Sequence, residues 1–183
     1  PPTSAATSPK PTQYAQLLNR LVNYFQPEII LELGTSLGIT TAYLAKAKPT
    51  AVVTTMEGSS TIAKIAEANF QKLGLQNIRI VTGNFDETLA STLAASTQSF
   101  NFVFIDGNHR KEPTVRYFEQ LLAKTDHDTV FVFDDIHWSK EMEEAWEQVK
   151  QHSSVTLTID LFFIGLVFLR KEQKAKEHFV IRF

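Results

Sequence analysis

The sequence predicts an α/β fold, in which helices cover both faces of a seven-stranded sheet. From residue 29 to residue 151, short runs rich in β-branched and aromatic residues alternate with helical segments, which is typical of a parallel sheet. After residue 152, two apolar runs are joined by a connection around Gly165 that is too short for a helical crossover, so these strands should pair antiparallel. The predicted fold therefore consists of five β–α units and a final hairpin.

Each predicted element is supported by a local pattern in the chain. Residues 14–25 place apolar side chains at three- and four-residue spacings, which predicts a one-sided helix that ends before Pro27. Glycines mark the turn after the first strand, and Ser59 or Ser60 can cap the helix after the second.

The predicted parallel strands are 29–31, 51–56, 78–82, 100–105 and 129–133. The predicted helices after them are 39–48, the segment before Gly74, 87–95, the segment with Pro113 in its first turn, and the segment from Met142 to Val149. The predicted hairpin strands are 155–159 and 166–169, and 178–183 is either an edge strand or an ordered tail.

The composition is that of one globular domain. With 183 residues, 43% of them hydrophobic and 21% charged, the chain is long enough to bury a sizeable core. Residues 13–183 are expected to form this single domain. Residues 1–12 lack an initiator Met and a hydrophobic core, so they resemble a trimmed, disordered leader more than a signal peptide.

Charge, cysteine content and hydropathy argue against several classes of function. The net charge of −2 and the absence of a basic stripe argue against nucleic acid as a partner. The chain has no cysteine, which excludes disulfides, thiolate nucleophiles and Cys-based metal sites, and the cytoplasm is then the default compartment. The longest apolar run, 161–169, is well short of the roughly 20 residues that a membrane-spanning helix needs. No membrane partner is therefore expected.

Acidic residues recur at the predicted strand ends, where open parallel sheets bind their ligands. A single acid there also has a structural explanation, because strand ends are exposed and an acid near a helix start interacts favourably with the helix dipole. Six such positions together favour a lined pocket at this edge of the sheet. The six acids are Glu32, Glu57, Asp86, Asp106, Asp134 and Asp135.

The turn LGTSLG after the first strand bears on the kind of ligand. Dinucleotide-binding folds use G-x-G-x-x-G, whereas this turn has glycines only at positions 34 and 38, so pyrophosphate binding is not favoured. Glu32, two residues before the first glycine, suits a ligand with a cationic amino group. Glu57, at the end of the second strand, is placed to accept hydrogen bonds from ribose hydroxyls.

Five motifs resemble one known family, and the resemblance extends over residues 13–170. The segments ELGTSLG, TTMEGSS, GNFDETL, FVFIDGNH and FVFDDIHWS look like the successive motifs of a class I S-adenosylmethionine-dependent methyltransferase. Within that class they are most similar to small bacterial catechol O-methyltransferase-like enzymes. The resemblance implies a Rossmann-like sheet whose seventh strand is inserted antiparallel. It also implies S-adenosylmethionine as cofactor and O-methylation of a small-molecule hydroxyl.

The resemblance assigns a role to each motif. Glu32 and the glycine turn would face the methionine part of the cofactor, and Glu57 would hold the ribose. Asn84 and Phe85 would border the adenine, and Asp106 would lie near the reacting methyl group. The cofactor-binding residues expected on this basis are Glu32, Gly34, Thr35, Ser36, Gly38, Glu57, Gly58, Asn84, Phe85 and Asp106.

The resemblance further implies a magnesium site. In the catechol type, an aspartate after the fourth strand and an Asp-Asn pair after the fifth bind magnesium, and the matching residues here are Asp106, Asp134 and Asp135. Such a dication would bind a substrate hydroxyl and lower its pKa. Two positions depart from that pattern, because Asp135 replaces the asparagine and His109 replaces the family's lysine. Asp135 can instead begin the turn into the sixth helix, with Ser139 as the cap of that helix.

His109 and His137 are the candidates for a general base, and Asp106 is the third candidate catalytic residue. Both histidines follow strand ends and can titrate near neutral pH. His137 has the better local setting, since it stands beside two acids and Trp138 in the sequence. The alternative for both histidines is a surface loop position without a role in catalysis. The candidate aromatic walls for a flat acceptor are Tyr14, Phe85 and Trp138.

Two other functions stay open at this point. One is a non-catalytic S-adenosylmethionine-binding domain that needs a partner chain, and the other is a nicotinamide-linked oxidoreductase, against which the missing G-x-G-x-x-G counts. The expected partner is a small-molecule acceptor. A homodimer along the final hairpin is a further expectation, based on Phe162, Phe163 and the tail to Phe183, although an ordinary core explains these residues as well.

Overall fold

The computed structural model describes residues 12–182. The predicted leader of residues 1–12 lies outside the described residues, except for Thr12, which begins the first helix. None of the helices in this part of the chain combines the length and the apolar character that crossing a bilayer requires. The helices are α1 (Thr12–Phe25), α2 (Ile39–Ala47), α3 (Ser60–Lys72), α4 (Phe85–Ala95), α5 (Lys111–Leu122) and α6 (Lys140–Gln151). The strands are β1 (Ile29–Leu33), β2 (Val52–Glu57), β3 (Ile78–Thr82), β4 (Phe102–Ile105), β5 (Val130–Asp134), β6 (Leu157–Asp160), β7 (Ile164–Phe168) and β8 (Glu177–Val180).

All described strands form one sheet with the order β3-β2-β1-β4-β5-β7-β6-β8. Strands β1 to β5 pair in parallel, whereas β7 lies antiparallel between β5 and β6. The α/β fold and the antiparallel hairpin predicted from the sequence are thus confirmed. The chain reverses its direction of strand addition between β1 and β4, and open α/β sheets bind ligands at such a switch point.

The strand count is the point at which the prediction was wrong. Within residues 12–182 the sheet has eight strands rather than seven, because β8 pairs in parallel with β6 at the edge. All four side chains of β8 are exposed. Backbone hydrogen bonds hold the strand, among them Glu177 N to Thr156 O at 3.0 Å and Ile181 N to Asp160 O at 2.8 Å. Of the two alternatives expected for residues 178–183, the edge strand is thus present over Glu177–Val180, and the predicted count of seven did not include it.

The central strands are buried on both faces, and their alternating side chains belong to two hydrophobic clusters. In β4, Val103 and Ile105 pack in a cluster with residues of α4, α5 and α6. Phe102 and Phe104 pack in a second cluster with residues of α1 and α2 on the opposite face. This is the burial expected of a parallel sheet covered by helices on both faces. It explains why 100–105 is an almost continuous apolar run.

The hairpin turn lies two to four residues before the predicted connection around Gly165. Gly165 is part of β7, where it pairs with both Phe133 and Asp160, and the turn consists of residues 161–163. A Cβ added to Gly165 would lie 2.6 Å from the indole of Trp146. The glycine is therefore required for close packing of α6 against β7 and does not mark the turn.

Candidate functional site

The polar strand ends meet at one edge of the sheet. Strands β1, β2, β4 and β5 are parallel, so their carboxyl ends share an edge. Because β7 is antiparallel to both β5 and β6, the carboxyl end of β6 reaches the same edge. Asp134 at the end of β5 lies opposite Ile164, and Asp160 at the end of β6 lies opposite Gly165. The turn of residues 161–163 therefore borders the same site as the predicted acids.

The glycine turn after β1 is locked between β2 and β4. Gly34 has a φ of 106°, and an added Cβ would lie 2.0 Å from the backbone carbonyl oxygen of Asp106. The backbone N–H groups of Gly34 and Thr35 both donate to the carbonyl of Met56, at 3.0 and 3.1 Å. Gly38 has a φ of 81°, and a Cβ there would collide with the ring of Phe70 at 2.4 Å. Neither glycine position accepts a side chain.

The Glu57 carboxylate is oriented by two backbone groups. One oxygen accepts the N–H of Ser36 at 2.9 Å, and the other accepts the N–H of Ser59 at the same distance. The side chain is half-buried, so each oxygen keeps a lone pair for a further donor. Gly58 beside it faces open space, because an added Cβ would meet nothing within 4 Å. This arrangement fits the role toward ribose hydroxyls, which stays a prediction.

Glu32 lies beneath the turn and is fully buried. Its carboxylate accepts hydrogen bonds from Thr41 of α2 and from Thr55 of β2, the latter at 2.6 Å. Thr55 in turn lies 2.6 Å from the hydroxyl of Thr35 in the glycine turn. The acid thus ties α2, β1 and β2 together under the turn. Its expected role toward the methionine part of a cofactor stays a prediction.

Asn84 and Phe85 lie at the start of α4, and their expected place beside the adenine stays a prediction. The side-chain oxygen of Asn84 accepts the N–H of Asp86 at 3.1 Å, so Asn84 is the N-cap of this helix. Phe85 packs edge-on against Tyr117, with 5.9 Å between ring centroids. A Cβ on Gly107 would lie 2.6 Å from the Phe85 ring, so the glycine after Asp106 allows this ring to close over the end of β4.

Asp86 has a structural role rather than one in lining the pocket. Its carboxylate accepts hydrogen bonds from Tyr117 at 2.7 Å and from Arg116 at 2.5 Å. The hydrogen bond from Tyr117 and the positive charge of Arg116 lower the pKa of Asp86, although burial acts in the opposite direction. Burial, together with the hydrogen bond to Asp86, raises the pKa of Tyr117. This exposed acid anchors the start of α4 to α5.

Asp106, His109 and Asp134 form a cluster at the ends of β4 and β5. Each offers one ligand atom, and these atoms all lie within 4.8 Å of one another. The Nε2 atom of His109 lies 3.5 Å from Asp106 and 3.9 Å from Asp135. Asp134 is buried, whereas the other members are half-buried. The predicted metal ligands Asp106 and Asp134 are thus brought together with His109 as their third neighbour, and Asp135 lies beside the histidine.

His137 contacts different acids from the two that precede it in the sequence. Its Nε2 atom lies 2.8 Å from Oδ2 of Asp160, and its Nδ1 atom lies 3.5 Å from the carboxylate of Glu143. Trp146 donates its indole N–H to the same Asp160 oxygen at 3.2 Å, and the backbone N–H of Phe162 donates to the other at 2.8 Å. The predicted base therefore belongs to a network that includes the end of β6.

This network determines the charge state of Asp160. Burial alone would raise the pKa of its carboxyl group. The hydrogen bond from His137, the backbone N–H of Phe162, the charge of His137 and the indole N–H of Trp146 together outweigh burial and lower the pKa of Asp160. The carboxylate is thus kept ionised, and it can hold the imidazole in one orientation.

Asp160 and Phe162 are the two residues of this edge that sequence reasoning missed. Asp160 follows the same strand-end rule as the six predicted acids. The predicted strand ends at residue 159, one residue before this acid, so Asp160 falls outside the strand ends that the sequence prediction considers. Phe162 stacks on the ring of His137, with 5.4 Å between centroids and 25° between ring planes. Its neighbour Phe163 packs against the predicted wall residue Tyr14 at 5.4 Å.

Comparisons with known proteins agree with this architecture. Residues 31–136 match a family described as "Methyltransferase domain". The chain is 31% identical over 133 residues to a catechol O-methyltransferase of Niastella koreensis, an alignment that covers 72% of this chain and 58% of that protein. The chain thus spans less than two thirds of the length of this curated relative.

Solved structures show the same fold. The chain is similar to the O-methyltransferase from Bacillus cereus in complex with SAH, with a TM-score of 0.75 and 26% identity over 89% of this chain and 83% of that one. A cofactor-bound protein from MTB is similar with a TM-score of 0.79 and 24% identity, over 91% of this chain and 85% of that one. The second likeness concerns the fold alone.

Proposed function

This chain belongs to the class I S-adenosylmethionine-dependent methyltransferases, and on that premise we propose that it transfers a methyl group to a hydroxyl oxygen of a small molecule. The observation that carries the proposal is the set of residues that meet at the carboxyl edge of the sheet, where the strand order reverses between β1 and β4. There the locked glycine turn and the oriented Glu57 carboxylate lie at the ends of β1 and β2, beside the Asp106 cluster at the ends of β4 and β5. The catechol O-methyltransferase of Niastella koreensis and the O-methyltransferase from Bacillus cereus, to which the chain is similar, support the choice of oxygen as acceptor atom.

The chain's own residues would bind the cofactor around the turn. Bound S-adenosylmethionine supplies a methyl carbon on a positively charged sulfur, open to in-line attack by a nucleophile. Glu57 would accept hydrogen bonds from the ribose hydroxyls, since both of its oxygens can accept further bonds beside those from Ser36 and Ser59. Asp106 stands at the adjacent strand end, and Phe85 closes the side of the site toward α4.

The Asp106 cluster fits a divalent cation. Two carboxylates and one imidazole within 4.8 Å of one another are ligands that dications accept. Asp106, His109 and Asp134 would hold the ion, and Asp135 would lie beside them. Magnesium prefers oxygen ligands, whereas the imidazole of His109 widens the choice to manganese, iron, cobalt or zinc. A bound dication would lower the pKa of a hydroxyl that it contacts.

His137 would take the proton of the acceptor hydroxyl. Its Nε2 atom faces the ionised Asp160, so the neutral ring carries its proton there and leaves Nδ1 as the basic nitrogen, which lies 3.5 Å from the Glu143 carboxylate and would meet the acceptor hydroxyl beside it. The hydroxyl proton would move to Nδ1 as the acceptor oxygen takes the methyl group and the sulfur leaves with its electron pair. Most of the catalysis then comes from placing the reactants and removing one proton.

The test is calorimetric titration with S-adenosylhomocysteine, followed by a transfer assay with catechol. We expect micromolar binding, and Glu57→Ala should weaken it at least tenfold because charged hydrogen bonds to hydroxyls are lost. Glu28→Ala is the matched control, since Glu28 is an exposed acid just before β1 at the opposite edge of the sheet. Absence of binding to the wild-type protein would refute the proposal, and tight binding without transfer to any hydroxyl would favour the non-catalytic alternative.

A further inference from the structure

Four residues other than glycine adopt a left-handed backbone at the carboxyl edge. They follow four different strands and have φ values of 49°, 58°, 53° and 74°. Three are polar and of types that tolerate this conformation in turns, whereas a bulky aromatic residue there is a true outlier. Such outliers persist only where neighbouring groups impose them, and they concentrate at functional sites. The four residues are Ser36, Asn108, Asp135 and Phe162.

The surroundings of Phe162 impose its conformation. Its backbone N–H donates to Oδ1 of Asp160 at 2.8 Å, inside the narrow turn between β6 and β7. Leu161 N donates to Ile164 O at 2.9 Å and closes that turn. Stacking of the Phe162 ring on His137 then holds the side chain on the site side of the turn. The Asp160 carboxylate thus orients both His137 and Phe162.

Packing does not explain why this position carries a phenylalanine. The Phe162 side chain is 62% exposed and belongs to neither hydrophobic cluster. One face of its ring covers His137, and the ring also packs edge-on against Phe163 with 4.9 Å between centroids, so the open part is the surface that these two contacts leave uncovered. Phe163 makes the contact with α1 through Tyr14, so the turn is already anchored to the fold. The strained backbone at Phe162 is therefore not offset by burial of the side chain.

We infer that Phe162 is an acceptor-binding residue that selects for a planar, aromatic acceptor. This inference rests on the proposed function. Because the ring is stacked on His137, an acceptor ring that packs on its open part lies beside the imidazole, which places a ring hydroxyl near the proposed base. Trp138 follows His137 and is 69% exposed, so a second aromatic surface stands next to the same position in the chain.

The experiment separates binding from folding by using Phe162→Gly. Glycine adopts a left-handed backbone without strain, so the variant should melt at the same temperature as the wild type or a few degrees higher. With saturating S-adenosylhomocysteine present, its affinity for catechol should fall roughly fivefold to tenfold, the loss that corresponds to one aromatic contact. Binding of S-adenosylhomocysteine itself should change less than twofold. Titration with cis-cyclohexane-1,2-diol should be unaffected, because that diol has no aromatic face.

Three further variants complete the design. Gln26→Gly relieves a left-handed backbone (φ 52°) at the opposite edge of the sheet, so it should raise the melting temperature without changing affinity for catechol. Phe162→Tyr keeps the ring and should keep wild-type affinity for catechol. If Phe162→Gly fails to fold, Phe162→Asn takes its place, because asparagine tolerates the left-handed region.

The outcomes distinguish this inference from the proposed function. Unchanged catechol affinity in Phe162→Gly overturns the inference, and so does a wild-type complex that binds S-adenosylhomocysteine but not catechol. Loss of catechol affinity in Phe162→Gly with retention in Phe162→Tyr supports it, even if the bound catechol is never methylated. In that last case the proposed function fails while the binding role of Phe162 stands.

Discussion

Replacement of Gly34 by alanine tests the architecture of the site most directly. An alanine Cβ would lie 2.0 Å from the carbonyl oxygen of Asp106 and 2.8 Å from its carbonyl carbon. Both are backbone atoms, so no side-chain rotation relieves the overlap. Relief requires β1 and β4 to move apart at their ends, where the N–H of Asp106 donates to Leu33 O at 2.8 Å. The substitution therefore strains the site and the sheet together.

The magnitude follows from two contributions. A side chain at a φ of 106° costs about 1–3 kcal/mol, because this region is accessible almost only to glycine. Overpacking against a rigid neighbour costs about 1–3 kcal/mol more. Their sum is about 4 kcal/mol, which for a protein of this size corresponds to a fall of roughly 8–16 °C in melting temperature.

Thermal unfolding followed by circular dichroism measures this loss, and titration with S-adenosylhomocysteine measures its consequence for the site. Gly34→Ala should bind at least tenfold more weakly at a temperature where it is still folded, because Asp106 is displaced. Gly58→Ala is the matched control for stability, since its added Cβ meets nothing within 4 Å, and the melting temperature should change by less than about 2 °C. A Gly34→Ala protein that melts within 2 °C of the wild type would refute the close approach of β1 to Asp106.

Three further predictions concern α6, the His137 network and the metal site. Gly165→Ala should lower the free energy of unfolding by about 1–3 kcal/mol in urea, because the added methyl group pushes on the Trp146 indole. Asp160→Asn should cost about 1 kcal/mol at pH 7. Folding lowers the pKa of Asp160 below its ordinary 3.8. The difference in unfolding free energy between the wild type and Asp160→Asn should therefore have its full size above pH 3.8 and disappear as the pH falls through the lower folded-state pKa. Urea titrations of both proteins at several pH values measure this difference. His109→Ala should weaken binding of Mn²⁺ at least tenfold in calorimetric titration, because one of three ligands is lost.

Each of these three predictions has its own control or refuting result. The control for Gly165→Ala is Gly74→Ala. Gly74 has a positive φ, but a Cβ added there meets no neighbour within 4 Å, so this variant measures backbone strain without a steric contact. For Asp160, a stability difference that stays constant from pH 7 to pH 2 would show that its charge does not contribute. For the metal site, His127→Ala removes a histidine that also lies between two acids but in an exposed turn, and equal losses in both histidine variants would count against the Asp106 cluster.

Much of the fold could be predicted because its elements are local patterns. The strand Ile78–Thr82 has the predicted bounds, and the helix Ile39–Ala47 ends one residue earlier than predicted. Hydrophobic periodicity and glycine or proline boundaries depend on neighbouring residues in the chain, and these are visible in a sequence. The glycine turn and the acids at the strand ends followed from the same patterns, because parallel strands place their carboxyl ends at one edge.

The sequence by itself thus determined the class of fold and the edge of the sheet at which Glu57, Asp106 and Asp134 lie, whereas their part in a binding site stays a prediction. Only the tertiary structure decided which side chains meet there. In the structure His137 contacts Asp160 across 23 residues, His109 lies in the acid cluster, and Gly165 lies in β7 against Trp146. The structure also decides between the edge strand and the ordered tail that the sequence left open for residues 178–183. These contacts depend on strand order and register, which arise from packing between distant segments and leave no periodic signal in the local sequence.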